Sequence, residues 1–273
     1  MNFEKQFFQF FLFIFCFVGL AIVATATVPV PSGFYRIVNQ TGVQIYQKDY
    51  AGGSPDYVIV LDLRYGTLRN FTGSVSGPVN LSTVERRSLL THYNNAKAQD
   101  TTNRKVVAVL NGTFFATNDN PTGIAFGLKA DWWRISYGYG VATEYPGLIR
   151  TIAFDSAGAS ASIRSYAQST FDGSSPNVVG GLDVTASKSP TSYIGRTFAG
   201  VRDDNGDGKS ETVIFYSSSK ATQSLASSVL SGFGVSSKIM FDGGGSTGLI
   251  INGSTKIAAA RTIPQAFVIC SGR

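Results

Sequence analysis

A short apolar run that leads directly into three consecutive glycines constrains the fold of this chain more than any other feature. Residues 238–241 (KIMF) have the pattern of a buried strand, and DGGGST follows at 242–247. Glycine costs backbone entropy and offers no side chain to pack, so the triplet indicates a close approach of backbone or a turn without room for a Cβ. An acid, bare N–H groups and hydroxyls within six residues suit a polar, anionic ligand. A glycine-rich hairpin with incidental polar flanks is the alternative interpretation.

The first 26 residues are predicted to be a secretory signal peptide. Residues 7–23 are almost wholly apolar, and Ala24-Thr25-Ala26 fits a cleavage site of small residues. An uncleaved N-terminal anchor is the alternative, because the apolar run is close to the short limit for crossing a bilayer. No later stretch of sequence is apolar enough for a membrane span, so the mature chain, residues 27–273, is expected to be secreted and extracellular.

The composition favours a single globular domain that is held together by its core. Apolar residues make up 43 % of the 273 residues and charged residues 15 %, which excludes a disordered chain. Cys16 lies in the predicted signal peptide, so Cys270 is left without a partner for an intrachain disulfide. The net charge of +6 suits acidic glycans or phosphates, and the lack of a dense Lys/Arg run argues against nucleic acid. A single histidine, His92, argues against a Ser-His-Asp triad and a His-rich zinc site.

Extended patterns dominate the mature chain. The predicted fold class is α+β, with a mixed, largely antiparallel β-sheet core and a few helices in a single domain. A capping box at Ser82 and Glu85 predicts a helix that ends near Lys97. Apolar spacing predicts a second helix over residues 222–233, with Gly234 just after its end. Strands are predicted at 34–38, 43–47, 57–64, 105–110, 151–155, 161–166, 196–202, 211–217, 238–241, 247–252 and 265–270.

Polar groups stand at the predicted strand ends, where binding and catalytic residues usually lie. Asp242 is the candidate for acid–base or nucleophilic chemistry, and Asn111 can donate to an oxyanion or a sugar hydroxyl. Arg196 and Arg261 matter because a planar guanidinium binds phosphate through two hydrogen bonds. A surface arginine and an ordinary Asn-Gly turn are the alternatives where each residue is taken alone. The neighbouring candidates are Gly112, Thr197, Gly243, Gly244 and Ser246.

The order of these motifs resembles the phosphodiester glycosidase family, which contains the N-acetylglucosamine-1-phosphodiester α-N-acetylglucosaminidases. The motifs are NGTFF at 111–115, RTFAGV at 196–201, DGGGST at 242–247 and RTIP at 261–264. The resemblance spans roughly residues 57–271 and implies hydrolysis of a sugar-1-phosphodiester between the anomeric carbon and the phosphate oxygen. It also implies one site where the motifs meet. The matching residues are Asn111, Gly112, Arg196, Thr197, Asp242, Gly243, Gly244, Ser246 and Arg261.

Within that implied reaction we expect Asp242, Arg196 and Asn111 to be catalytic and the other matching residues to bind substrate. The two arginines and the glycine N–H groups would hold the phosphodiester, while Asp242 stabilises the oxocarbenium-like state or directs a water. Phosphate is a good leaving group, so one carboxylate is compatible with the reaction. A second acid would come from Asp119, Asp131 or Asp183. The alternative function is a non-catalytic module that binds an anionic glycan on the same fold.

Asp203, Asn205 and Asp207 place oxygen side chains at alternate positions, as in a calcium loop. The twelfth position from Asp203 is Ile214 rather than glutamate, so the full EF-hand pattern fails. A structural calcium site and a simple acidic, glycine-rich hairpin therefore both stay open. The reaction itself is expected to require no metal or other cofactor.

Overall fold

The computed structural model describes residues 28–273, so the predicted signal peptide lies outside the described residues. The helices are α1 (Leu89–Lys97), α2 (Gln168–Asp172) and α3 (Gln223–Gly232). The strands are β1 (Tyr35–Gln40), β2 (Val43–Lys48), β3 (Asp56–Asp62), β4 (Gly66–Thr72), β5 (Val75–Ser76), β6 (Thr83–Val84), β7 (Lys105–Asn111), β8 (Leu128–Ala130), β9 (Trp133–Ser136), β10 (Ile149–Phe154), β11 (Ala161–Ser165), β12 (Asn177–Leu182), β13 (Ile194–Arg202), β14 (Thr212–Ala221), β15 (Ser237–Met240), β16 (Leu249–Ile251), β17 (Ser254–Ile257) and β18 (Gln265–Ser271).

The strands form two large antiparallel sheets and one two-stranded ribbon. The first sheet has the order β1-β2-β3-β14-β13-β15-β12-β10-β11, and β8 and β9 extend it beside β12. The second sheet has the order β17-β16-β7-β18-β4, and β5 pairs with β6. The prediction of a largely antiparallel core in a single domain is confirmed. The chain is richer in β-structure than the predicted α+β class, because its described part has only three short helices.

Side-chain alternation along the central strands of the first sheet separates the layers. Phe198 and Met240 face the cluster that contains α3, whereas Ala199 and Ile239, one residue away, face the second sheet. Phe267 of the second sheet closes that interface, with its ring centre 5.1 Å from that of Phe215 and 4.9 Å from that of Phe241. Helix α1 packs against β7 and β16 of the second sheet. The order of layers is therefore α1, second sheet, first sheet, α3.

Helix α3 confirms its prediction, whereas α1 begins later than the capping box indicated. The side chain of Thr222 caps α3 by accepting from the N–H of Leu225, and Gly234 follows at φ +80°. Helix α1 is capped by Ser88, which accepts from the N–H of Thr91 at 3.0 Å. The hydroxyl of Ser82 instead donates to the carbonyl oxygen of Pro78. No helix begins there, because residues 83–84 form β6 and pair with β5. Among residues 28–273, the helices are all too short or too polar to cross a bilayer.

Replacing Phe267 with alanine should destabilise the protein by about 3–5 kcal/mol, because the cavity would lie between the two sheets. Urea denaturation followed by circular dichroism measures the free energy of unfolding. Leu81→Ala is the control, since that side chain is 77 % exposed and its loss should cost no more than about 0.5 kcal/mol. Equal costs for the two substitutions would contradict the proposed layer order.

Candidate functional site

The side-chain amide of Asn111, at the end of β7, joins the two sheets at the site. Its Nδ2 donates to the carbonyl oxygen of Asp242 at 2.6 Å, and its Oδ1 accepts from the Thr197 hydroxyl at 2.7 Å and the Gly248 N–H at 3.2 Å. The carbonyl oxygen of Gly112 accepts from the N–H of Asp242 at 3.0 Å. Asn111 is buried, and these three hydrogen bonds use its amide to position the turn. The predicted donor role of Asn111 does not fit this geometry.

The turn at 242–247 needs its glycines for backbone packing. Gly244 begins a short 3-10 turn and has φ +58°, a conformation that favours glycine. A Cβ built on Gly243 would lie 2.6 Å from the carbonyl oxygen of Gly195 in β13. A Cβ built on Gly195 would in turn lie 2.6 Å from the carbonyl oxygen of Gly244. The first sheet and the turn can therefore meet only where both sides lack a side chain.

Three buried polar atoms in this turn have no hydrogen-bond partner among the described residues: Oδ2 of Asp242, Oγ of Ser246 and Oγ1 of Thr247. The other carboxylate oxygen of Asp242 accepts from the N–H of Gly243 at 2.9 Å. Buried polar groups are nearly always paired in native proteins, and unpaired ones cluster where a ligand or a reaction uses them. The turn therefore presents an acid and two hydroxyls with unused bonding capacity.

Burial raises the pKa of Asp242 above its ordinary value. The nearby Ser246 hydroxyl, the Gly243 N–H and the positive charges of Arg261 and Lys188 act in the opposite direction. The hydroxyl of Ser246 lies beside the carboxyl without forming a hydrogen bond of normal geometry. Asp242 is therefore a desolvated acid whose ionised form is favoured first by Ser246 and Gly243 and then by the charges of Arg261 and Lys188.

Those two cations, Arg261 and Lys188, form no ion pair with any acid of residues 28–273. The guanidinium of Arg261 lies against the turn, since a Cβ built on Gly245 would be 2.8 Å from its Nη2. The Nζ of Lys188 lies 5.6 Å from the ring centre of Phe114 and 5.7 Å from that of Tyr145. Both cationic side chains are exposed and free to bind an anion.

Arg196 does not join this cation pair, contrary to the sequence prediction. Its guanidinium donates to the backbone carbonyl oxygens of Ala221, Lys188, Ser189 and Ser192 at 2.5–3.2 Å, and the residue is 2 % exposed. Adjacent residues in a strand point to opposite faces, so Arg196 faces α3 while Thr197 faces Asn111. Its role is to hold the loop that carries Lys188.

The three candidates for a second acid separate in space. Asp183 pairs with Arg150 at 2.8 Å, and Asp131 occupies the exposed turn between β8 and β9. Asp119 lies nearer to the site. Its charge acts on the phenol of Tyr139, as do the charges of Glu144 and Asp242. Burial first, and then these three carboxylates, raise the pKa of Tyr139.

Sequence reasoning missed Lys188, Tyr139 and Glu144. None of them belongs to a motif, and Lys188 lies in a polar loop of ordinary composition. The sequence gives only one indirect signal, which is that the loop of Lys188 immediately precedes the RTFAGV motif.

The predicted calcium loop forms the turn between β13 and β14. Carboxylate oxygens of Asp203, Asp207 and Glu211 lie within 4.8 Å of one another. Asn205 donates to Glu211 at 3.1 Å and accepts from the N–H of Asp207 at 2.9 Å. Glu211, the ninth residue counted from Asp203, thus adds a third carboxylate, and the calcium site stays a prediction.

The fold is similar to that of two solved structures. The catalytic domain of zebrafish N-acetylglucosamine-1-phosphodiester alpha-N-acetylglucosaminidase, auto-inhibited by its pro-peptide, aligns with a TM-score of 0.56 and 13 % identity, covering 88 % of this chain and 81 % of that one. A hypothetical protein from Synechocystis aligns with a TM-score of 0.54 and 12 % identity, covering 88 % and 69 %. No protein-family profile and no curated protein matches the sequence. At these identities the similarity establishes a shared fold only.

Replacing Asp242 with asparagine should stabilise the protein at neutral pH. Because the folded pKa is raised above 3.8, the protonated form adds stability below pH 3.8 that is lost as the pH rises through the folded pKa. Asparagine keeps the shape without the charge. The melting temperature of Asp242→Asn should therefore exceed that of the wild type at about pH 7, and the difference should vanish near pH 3.

Asp183→Asn is the matched control for this measurement. Burial acts to raise the pKa of Asp183, but hydrogen bonds from Thr185 and the charge of Arg150 lower it overall. The control should therefore lose stability at neutral pH. A lower melting temperature for Asp242→Asn at neutral pH would contradict the assignment of a buried, disfavoured charge.

Calcium at the β13–β14 turn should raise the melting temperature, and chelation with EDTA should lower it, because the ion would bind the folded state alone. Asp207→Asn removes one ligand charge and should abolish the difference between calcium and EDTA. Identical melting curves of the wild type in both conditions would leave the turn as an acidic hairpin.

Proposed function

We propose that the protein is a secreted glycosidase that hydrolyses sugar-1-phosphodiesters, of the N-acetylglucosamine-1-phosphodiester kind. The observation that carries the proposal is the desolvated, half-partnered carboxyl of Asp242, which feels the charges of two cations that form no ion pair within residues 28–273. The shared fold with the zebrafish catalytic domain supports the same reaction class. The predicted signal peptide supports action on extracellular or exported glycans.

Arg261 and Lys188 bind the phosphodiester anion in this proposal. Of the two arginines predicted to bind the phosphate, only Arg261 keeps that role. Its guanidinium lies against Gly245, and its N–H groups can donate to the phosphate. Lys188 takes the place predicted for Arg196 as the second positive charge. The N–H groups of Gly244 and Gly245, at the start of the 3-10 turn, add neutral donors on the same side.

Asp242 faces the anomeric carbon of the bound sugar phosphate. Its negative charge stabilises the oxocarbenium-like transition state, and its raised pKa makes it a stronger acceptor for the proton of an attacking water. The hydroxyl of Ser246, which lies beside this carboxyl, orients that water. The phosphate leaves with its electron pair and is held by the two cations, so the bond between carbon and oxygen breaks with little general-acid help.

Asn111, Thr197 and Arg196 are positioning residues in this scheme. Asn111 and Thr197 hold the backbone of Asp242, and Arg196 holds the loop of Lys188. Tyr139, on which the charges of Glu144, Asp242 and Asp119 act, forms a polar wall of the site. A sugar hydroxyl is the group that this wall suits, because it offers both donors and acceptors.

Asp242→Asn should abolish the release of free sugar from a panel of sugar-1-phosphate diesters that includes N-acetylglucosamine-1-phospho-6-mannose. We expect a loss of at least about 100-fold in turnover. Lys188→Gln and Arg261→Gln should each raise KM by about ten- to a hundredfold, because each removes a charged hydrogen bond to the phosphate. Lys105→Gln, an exposed lysine at the far end of β7, should leave KM unchanged.

Water enriched in oxygen-18 locates the bond that breaks. The label should enter the released sugar and leave the phosphomonoester unlabelled, because the carbon–oxygen bond is cleaved. Label in the phosphate would overturn the assignment of Asp242 to the anomeric carbon. Binding of the diesters without release, equal in the wild type and Asp242→Asn, would instead establish a non-catalytic module that binds anionic glycans.

A further inference from the structure

A shallow groove lies beside Arg261, between the start of α1 and the hairpin of β16 and β17. Its volume is about 380 Å³, which is within the range of small-molecule sites. Most of the side chains that line the groove are apolar, among them Leu89, Leu90, Ile257, Ala258 and Ala259. Arg261 is the one charged residue among the described residues that line it.

The groove and the glycine-rich turn share a wall. A Cβ built on Gly248, directly after the turn, would lie 2.8 Å from Cδ2 of Leu89 and 3.0 Å from Cβ of Ala259. The N–H of Ala260 donates to the carbonyl oxygen of Gly245 at 2.8 Å. Arg261 adjoins both the glycine-rich turn and the groove. Its guanidinium lies against Gly245 of the turn, and the residue also lines the groove. An anion bound by Arg261 therefore has the turn on one side and the groove on the other.

The chemistry of the groove selects against a sugar. It contains no aromatic ring on which a sugar face could stack, and none of the described residues lining it is an amide or a carboxylate. Three hydroxyl groups lie at its edges, and that of Ser88 is already used to cap α1. Leu90 is 53 % exposed, so its side chain is accessible to a bound apolar group.

We propose that this groove binds an apolar second ester group of the phosphodiester substrate, an inference that rests on the proposed function. The phosphate lies at Arg261, the sugar lies toward Asp242, and the alkyl or isoprenoid arm lies over Leu90 and Ala258. The substrate class is then a sugar linked through phosphate to a lipid-like alcohol.

Two simple diesters test the groove without any sugar: dimethyl phosphate and methyl octyl phosphate. Each methylene removed from water is worth about fourfold in affinity, so partial burial of the octyl chain should give at least about tenfold tighter binding. The dissociation constants are measured by NMR titration of labelled protein, below the concentration at which the octyl ester aggregates. Leu90→Gln and Ala258→Gln should remove the preference for the octyl ester, and Arg261→Gln should weaken both esters alike.

Leu81→Gln, an exposed leucine outside the groove, is the matched control and should keep the preference. Equal affinity of the two esters would overturn the groove assignment while leaving the proposed function intact. Failure of both esters to bind would instead remove the anion site on which the proposed function depends. A concentration-dependent dimer that Leu90→Gln dissociates would assign the groove to a second copy of the chain and overturn the substrate assignment.

Discussion

The arrangement of the site depends on the three hydrogen bonds of the Asn111 side-chain amide. This amide lies at the end of a strand in the second sheet, yet its bonds go to Thr197 in the first sheet and to both ends of the glycine-rich turn. A buried amide must satisfy its donors and acceptors, so these bonds fix the position of the two sheets relative to each other at this point. The backbone of Asp242 is placed by these bonds, and its carboxyl then accepts from the N–H of Gly243 within the turn.

This arrangement bears on how a desolvated acid is tolerated just after β15. The free energy needed to keep Oδ2 of Asp242 without a partner must come from elsewhere in the fold. The packed interface around Phe267 and the three bonds of Asn111 are the nearest sources.

Much of the architecture could be predicted from the sequence because it depends on local patterns. The continuous apolar runs gave the buried strands, and the cap and C-terminal glycine of α3 gave its limits. The start of α1 could not be predicted in this way, since the pairing of β5 with β6 overrides a capping box. The balance between α and β could not be predicted either, because short strands with few apolar residues carry weak signals.

The site was predictable only where residues lie on the motif strands themselves. Alternation already implies that Arg196 and Thr197 cannot both face the same ligand, and the structure shows which one faces away. Lys188 could not be predicted, because its loop is placed by bonds to Arg196 that no local pattern encodes. The same holds for Tyr139 and Glu144, which reach the site from a segment without regular structure.

The close approach of Gly195 and Gly243 shows that the fold itself requires the glycines of the motif, whereas it does not require the acid that precedes them. A side chain at either position would overlap the opposite backbone, so any descendant that keeps this fold must keep both glycines. Asp242 is under no such requirement, since its side chain supports no neighbouring element. A search for the glycines alone would therefore gather proteins of this architecture whatever they do, whereas the acid in front of them is the residue on which the proposed reaction depends.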